Sequence, residues 1–183
     1  MPRVMKTVTI FSLSLTVVMS ALYFWLGSGI YLTFAITFGT TFYHFAIRLS
    51  VGFICNIVMN NRADYTKWRY RVGLCEYELY KFLHVKKWKD KMPTYNPENF
   101  SVKNHTLDEI AQVMCQSETV HEANVLLSFV PILAAKFFGA FYVFLITSVC
   151  GAVFDLLLVI VQRYNRARAV KIISKSACRK NLH

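Results

Sequence analysis

Few residues in this sequence are suited to acid–base or anion-binding chemistry, and their spacing follows the helical period. His44 and Arg48 stand four apart and share a helix face. Glu118 and His121 stand three apart and share another, while Glu122 points roughly 100° away. Asp155 lies in an apolar run, and Arg163, Arg166 and Arg168 follow it directly. A carboxylate beside an imidazole fixes its tautomer and raises its basicity, which suits His121 to a general base oriented by Glu118. The same pair also fits interfacial capping and packing. His44 and Arg48 have two readings as well. His44 lines a site where Arg48 binds an anion, or Arg48 snorkels to headgroups while His44 bonds a neighbouring helix. One E-x-x-H pair without a second gives no metal set, so no metal is expected. GxSxG, Walker A, GxGxxG and HExxH patterns are absent, and no nucleophilic Ser or Cys can be nominated. Direct transfer, with a base activating an acceptor hydroxyl, is the simpler chemistry.

These residues must be positioned by the apolar segments around them. Four such stretches stand out among the 183 residues. The first runs from Thr7 to Leu26 and is read as an uncleaved span. It ends at the turn Gly27-Ser28-Gly29. The second runs from Ile30 to about Met59. As one helix it is roughly 45 Å long, more than the ~30 Å hydrocarbon core needs. The span is therefore expected to end near Arg48-Leu49-Ser50, with Val51 to Met59 bending along the interface. The third stretch, Ala123 to Ala135, is too short to cross alone. It must borrow turns from Cys115 to Glu122, which draws Glu118, His121 and Glu122 to the membrane surface. Pro131 is expected to kink it. The fourth, Ala140 to Val161, is long enough to span. Expected spans are thus about 7–26, 30–50, 117–135 and 140–161, in a single membrane domain. A loop at about 60–108 and a basic tail at 162–183 complete it. Thr106-Leu107-Asp108-Glu109 fits a capping box, so a helix starts there.

Composition agrees. The hydrophobic fraction is 55%, only 17% of residues are charged, and the formal net charge is +11. The mean hydropathy is +0.38. So short a chain holds more apolar surface than a water-soluble core can hide. Positive charge gathers in the N-terminus, the 60–108 segment and the tail, which the positive-inside rule makes cytoplasmic. The fold class is therefore an all-α integral membrane protein with four transmembrane helices, both termini inside, in the cell membrane. Tyr77, Tyr80, His84 and Trp88 fall at helical spacing among lysines, including Lys87. This fits an interfacial helix, or a surface recognising an acidic donor. No RNP, helix-turn-helix or zinc-finger pattern accompanies the charge, so nucleic acid is not expected as a partner. Five cysteines without CxxC spacing read as free thiols.

Three segments in order carry a resemblance: Val85-Lys86-Lys87-Trp88-Lys89-Asp90-Lys91, the Glu118-x-x-His121 pair, and Val161-Gln162-Arg163-Tyr164-Asn165-Arg166-Ala167-Arg168. Over roughly residues 80 to 170 the chain resembles the glycosyl-4,4'-diaponeurosporenoate acyltransferase family of Gram-positive bacteria. The family's last motif is typically QRYNRPR, and Ala167 stands here in place of its proline. The resemblance implies an acyltransferase of the carotenoid (staphyloxanthin-type) pathway that esterifies a sugar hydroxyl of a glycosylated lipid. It implies no cofactor beyond a thioester co-substrate, acyl-CoA or acyl-carrier protein. His121 would act as base with Glu118. Asn165 would steady the tetrahedral intermediate. Arg163, Arg166, Arg168 and Lys87 would hold the donor. Trp88, His44, Arg48, Asp155 and Glu122 would complete the substrate-binding set, with membrane lipids around them. Two other classes fit the charge pattern: a small multi-span methyltransferase or reductase, and a non-catalytic lipid-binding protein.

Overall fold

The structure, a computed structural model, describes residues 2–180. Helices follow in the order α1 Pro2–Leu26, α2 Gly29–Met59, α3 Leu74–Phe82, α4 Val85–Trp88, α5 Leu107–Leu127, α6 Ala135–Phe138 and α7 Phe141–Lys180, and there is no strand among the described residues. Four helical stretches are long and apolar enough to cross a membrane: Pro2–Leu26, Gly29–Met59, Leu107–Phe138 and Phe141–Arg179. Large apolar side chains such as Ile10, Phe11, Phe34 and Ile146 are exposed along them, as lipid-facing residues must be. Hydroxyl residues in these stretches bond their own helix. Thr9, Thr37 and Thr147 each donate to the carbonyl four residues earlier, at 2.8–2.9 Å. That satisfies the hydroxyl without a solvent partner.

Several boundaries differ from the sequence reading. No break occurs at Arg48-Leu49-Ser50, and α2 is helical without interruption to Met59. Nothing in 48–50 removes a backbone donor or requires a positive φ, so surplus length alone does not stop a helix. It stops at Asn60 and Asn61, both left-handed, and Asn61 N–H donates to Gln116 Oε1 at 2.7 Å. Pro131 ends the third helix rather than kinking it. α5 stops at Leu127, and Pro131 opens a 3-10 segment, Val130–Ala134. The residues read as a tail continue α7 to Lys180, and 181–183 lie outside the described residues. The helix expected through Tyr77, Tyr80, His84 and Trp88 is broken at His84, whose φ is 50°. The capping box forms as expected. Thr106 N–H donates to Glu109 at 2.8 Å, and Glu109 N–H donates back to the Thr106 hydroxyl at 3.2 Å. The turn between α1 and α2 uses Gly27 at φ 66°. All five cysteines are free thiols.

The chain divides into two compact units. The first comprises the residues up to Phe53 with Ala123–Asp155. Within it Gly39 lets Thr16 approach to 3.5 Å of where a Cβ would stand. The Tyr43 hydroxyl donates to the carbonyl of Leu127 at 2.9 Å, satisfying the open C-terminal end of α5. The second comprises Ile54–Glu122 with the chain from Leu156 onward. Its small apolar core is Ala63, Tyr70 and Cys115, flanked by Met59 and Tyr65.

Candidate functional site

Each unit holds one cluster of buried polar groups. In the second unit the cluster is built on Glu118, which is 0% exposed and lies three turns into α5. Its two oxygens accept from two arginines of α7: Arg163 Nη1 at 2.5 Å on Oε1, and Arg166 on Oε2. Arg163 also grips Glu76 with both edges of its fork, Nε on Oε1 at 2.7 Å and Nη2 on Oε2 at 3.0 Å. Its remaining N–H groups reach the carbonyls of Arg69 and Arg71, each at 3.3 Å. All five guanidinium donors thus have partners inside the protein. Arg166 is 1% exposed, donates to Tyr70 O at 2.8 Å, and sits over the Tyr70 ring at 5.0 Å. Two cations meet two anions, so the cluster is neutral. That is the condition under which buried charge is tolerated.

The loop side of this cluster explains how Glu76 is held. Gly73 N–H donates to Glu76 at 3.0 Å across the first turn of α3, and the Tyr80 hydroxyl donates to it at 3.2 Å. Burial pushes the Glu76 carboxyl up, but the Arg163 bond, the Gly73 N–H, the Arg163 charge and the Tyr80 hydroxyl outweigh it and hold it below the usual value. Burial and the Glu76 charge push the Tyr80 phenol up to about 12. The Tyr80 ring packs edge-on against Tyr164 at 5.8 Å, which ties α3 to α7.

The other sequence-predicted residues of this unit lie on α4, α5 and α7. Glu122 pairs with Arg69. His121 and Asn165 are half-buried, on α5 and α7 respectively. Arg168 is exposed and lies over the Tyr164 ring at 5.9 Å. Lys87 is exposed, and Trp88 Nε1 donates to the Leu83 carbonyl at 2.9 Å. The sequence reading gave Glu118 to His121 and gave Arg163 and Arg166 to an outside anion. In the folded chain the carboxylate and these two guanidiniums take each other as partners. Glu76 and Tyr70 were not singled out in the sequence, and Tyr80 was read as part of an interfacial or donor-recognising surface. Glu76 could have been noticed as an acidic residue in a strongly basic segment.

In the first unit the cluster is Arg48 and Asp155. Arg48 Nη2 donates to Asp155 Oδ2 at 2.5 Å and to Gly151 O at 3.0 Å, and Nη1 donates to His44 O at 2.6 Å. Asp155 is 0% exposed. The charge of Arg48 is therefore met within the protein, by the one anionic residue of span four, instead of facing an outside anion. His44 is buried beside it, together with Ser128 and Gly151.

All-helical over its described residues, with four helices long and apolar enough to cross a membrane, the chain is by class a membrane protein. The sequence model of the glycosyl-4,4'-diaponeurosporenoate acyltransferase family matches residues 61–175, more than half of the chain, and the chain belongs to that family. The matched range contains Glu76, Glu118, His121, Arg163 and Arg166. No curated protein and no solved structure matches it.

Proposed function

We propose that the protein is a cell-membrane acyltransferase. It moves a fatty acyl group from a thioester donor to a sugar hydroxyl of a glycosylated lipid, with glucosylated diaponeurosporenoate as the acceptor its family name points to. The observation that carries this reading is the family match over residues 61–175. The charge distribution supports an orientation with both termini and the 60–108 segment in the cytoplasm, where a soluble thioester is available.

The roles are assigned from side-chain chemistry. His121 takes the proton of the acceptor hydroxyl, whose oxygen attacks the thioester carbonyl carbon. Asn165 donates to the oxyanion of the tetrahedral intermediate. Collapse breaks the carbon–sulfur bond, and the thiolate leaves with the proton His121 held. Glu118, Arg163 and Arg166 act as the frame that fixes α5 against α7 within their unit, because their charges are already paired. Arg168 and Lys87 remain exposed and suit the donor's phosphates.

The test uses membranes containing the full chain, a labelled acyl thioester and the glucosylated acceptor. Ester should form, and His121→Ala should abolish it while the protein still inserts. Arg168→Ala should raise KM for the donor with little change in kcat. Unchanged turnover in His121→Ala would remove His121 from the mechanism. A lack of ester with any glycosylated lipid would overturn the acyl-transfer reading itself.

A further inference from the structure

The polar residues buried in the first unit include several whose hydrogen-bonding atoms the protein leaves unused. His44 is 8% exposed, and both its ring nitrogens lack a partner among the described residues. Asn124 Oδ1 and Ser148 Oγ, in residues 1% and 0% exposed, also lack one. These atoms follow one pattern. Asn124 lies one turn before Ser128, whose hydroxyl donates to the Asn124 carbonyl at 2.8 Å. Ser148, Gly151 and Asp155 stand at i, i+3 and i+7 on α7, and His44 and Arg48 at i and i+4 on α2. Three helical segments of one unit thus bring polar side chains together. At Gly151 the side chains of Arg48, His44 and Ser128 meet. The position its Cβ would take is 3.1 Å from Arg48 Nη2, 3.3 Å from His44 Nδ1 and 3.3 Å from Ser128 Oγ. A Cβ there would be tighter than an ordinary contact and would press these side chains apart by a few tenths of an ångström.

The chemistry of the unused atoms selects the ligand. The cluster carries no net charge, since Arg48 is matched by Asp155. A phosphate or carboxylate would bring an uncompensated charge into membrane-spanning helices. It could also only accept hydrogen bonds. An amide oxygen needs a donor, and a neutral imidazole needs one donor and one acceptor. A hydroxyl supplies both roles and no charge. We propose that this cluster is a hydroxyl-binding site within the membrane-spanning helices, and that its ligand is a hydroxyl of the glycosylated lipid acceptor. The identity of that ligand rests on the acyl-transfer reading above. A water molecule offers the same hydrogen bonds, and the test must separate the two sources.

The full chain in phosphatidylglycerol nanodiscs is titrated with dodecyl β-glucoside and, as control, its fully O-methylated analogue, which keeps the alkyl chain and loses every donor. The wild-type protein should prefer the glucoside by about tenfold or more, the effect of one or two hydrogen bonds at a buried site. Gly151→Ala places a methyl where the three polar atoms meet and should erase the preference. His44→Leu removes both unused nitrogens and should erase it too, while melting no lower than wild type. A purely structural histidine would lose stability when replaced, so a lower melting temperature with the preference intact overturns the proposal. Equal binding of glucoside and analogue by the wild-type chain also overturns it, and assigns the site to water. Because binding is read without turnover, a preference that depends on His44 stands even if no acyl transfer occurs.

Discussion

Replacing Glu118 with glutamine tests whether the arginine cluster is the frame of the second unit. Glu118 is fully buried and, among the described residues, is the one carboxylate paired with Arg166, itself 1% exposed. Glutamine keeps the shape but removes the charge, and it turns one acceptor into a donor facing a guanidinium. Breaking a buried ion pair from one side costs about 3–5 kcal/mol. At roughly 2–4 °C per kcal/mol for a chain of this length, the melting temperature should fall by roughly 6–20 °C. Arg163 keeps its bidentate bond to Glu76, so the loss should centre on Arg166. The double variant Glu118→Leu with Arg166→Leu removes both charges and leaves Arg163 balanced by Glu76. It should recover much of the loss, with a coupling of about 1–3 kcal/mol in a double-mutant cycle. The assay is thermal unfolding of the purified chain in nanodiscs, followed by tryptophan fluorescence. A Glu118→Gln protein melting within about 2 °C of wild type would refute the reasoning. So would a double variant as unstable as the sum of Glu118→Leu and Arg166→Leu measured singly.

Three further outcomes follow from the same geometry. Glu76 titrates below the usual carboxylate value, so its stabilising effect is complete at neutral pH and is lost as pH falls below about 4.3; Glu76→Gln should lower stability at pH 7 and flatten the acid limb of the melting profile. Thr106→Ala removes the hydroxyl that accepts from Glu109 N–H and should cost about 1 kcal/mol, measured by thermal unfolding, with no effect on insertion. A reporter fused after Lys91 should give a cytoplasmic signal, and a signal from the other side would reverse the proposed orientation.

Much of the fold was legible in the sequence because the membrane simplifies the code. A helix in hydrocarbon needs a long apolar run, and such runs are visible one residue at a time. Those around Thr7–Leu26 and Ile30–Met59 lie within helices α1 and α2, and the run expected from Ala140 to Val161 lies within α7 from Phe141 onward. The capping box at Thr106 was legible for a similar reason, since both partners lie within four residues. The helix ends were less so. α2 continues past Arg48 because no residue there opposes it, and the stop depends on Asn60 and Asn61 taking left-handed conformations, with Asn61 bonded to a residue fifty-five positions away. His84 breaks its helix although the aromatic spacing runs through it.

The sequence by itself determined which residues had to be accounted for: ionisable groups in or next to apolar runs are costly, so His44, Arg48, Glu118, Asp155, Arg163 and Arg166 stood out from composition and spacing alone. It also carried the motifs that place the chain in its family. Only the tertiary structure decided who pairs with whom. Arg163 and Arg166 close on Glu118 and Glu76, and Arg48 on Asp155, across separations of 45 to 107 positions. The physical reason is that charge neutrality in a low-dielectric interior is a requirement on a cluster, and a sequence gives only its members. Gly151 shows the same limit: a missing side chain carries no chemical signal until three polar groups are seen to meet at it.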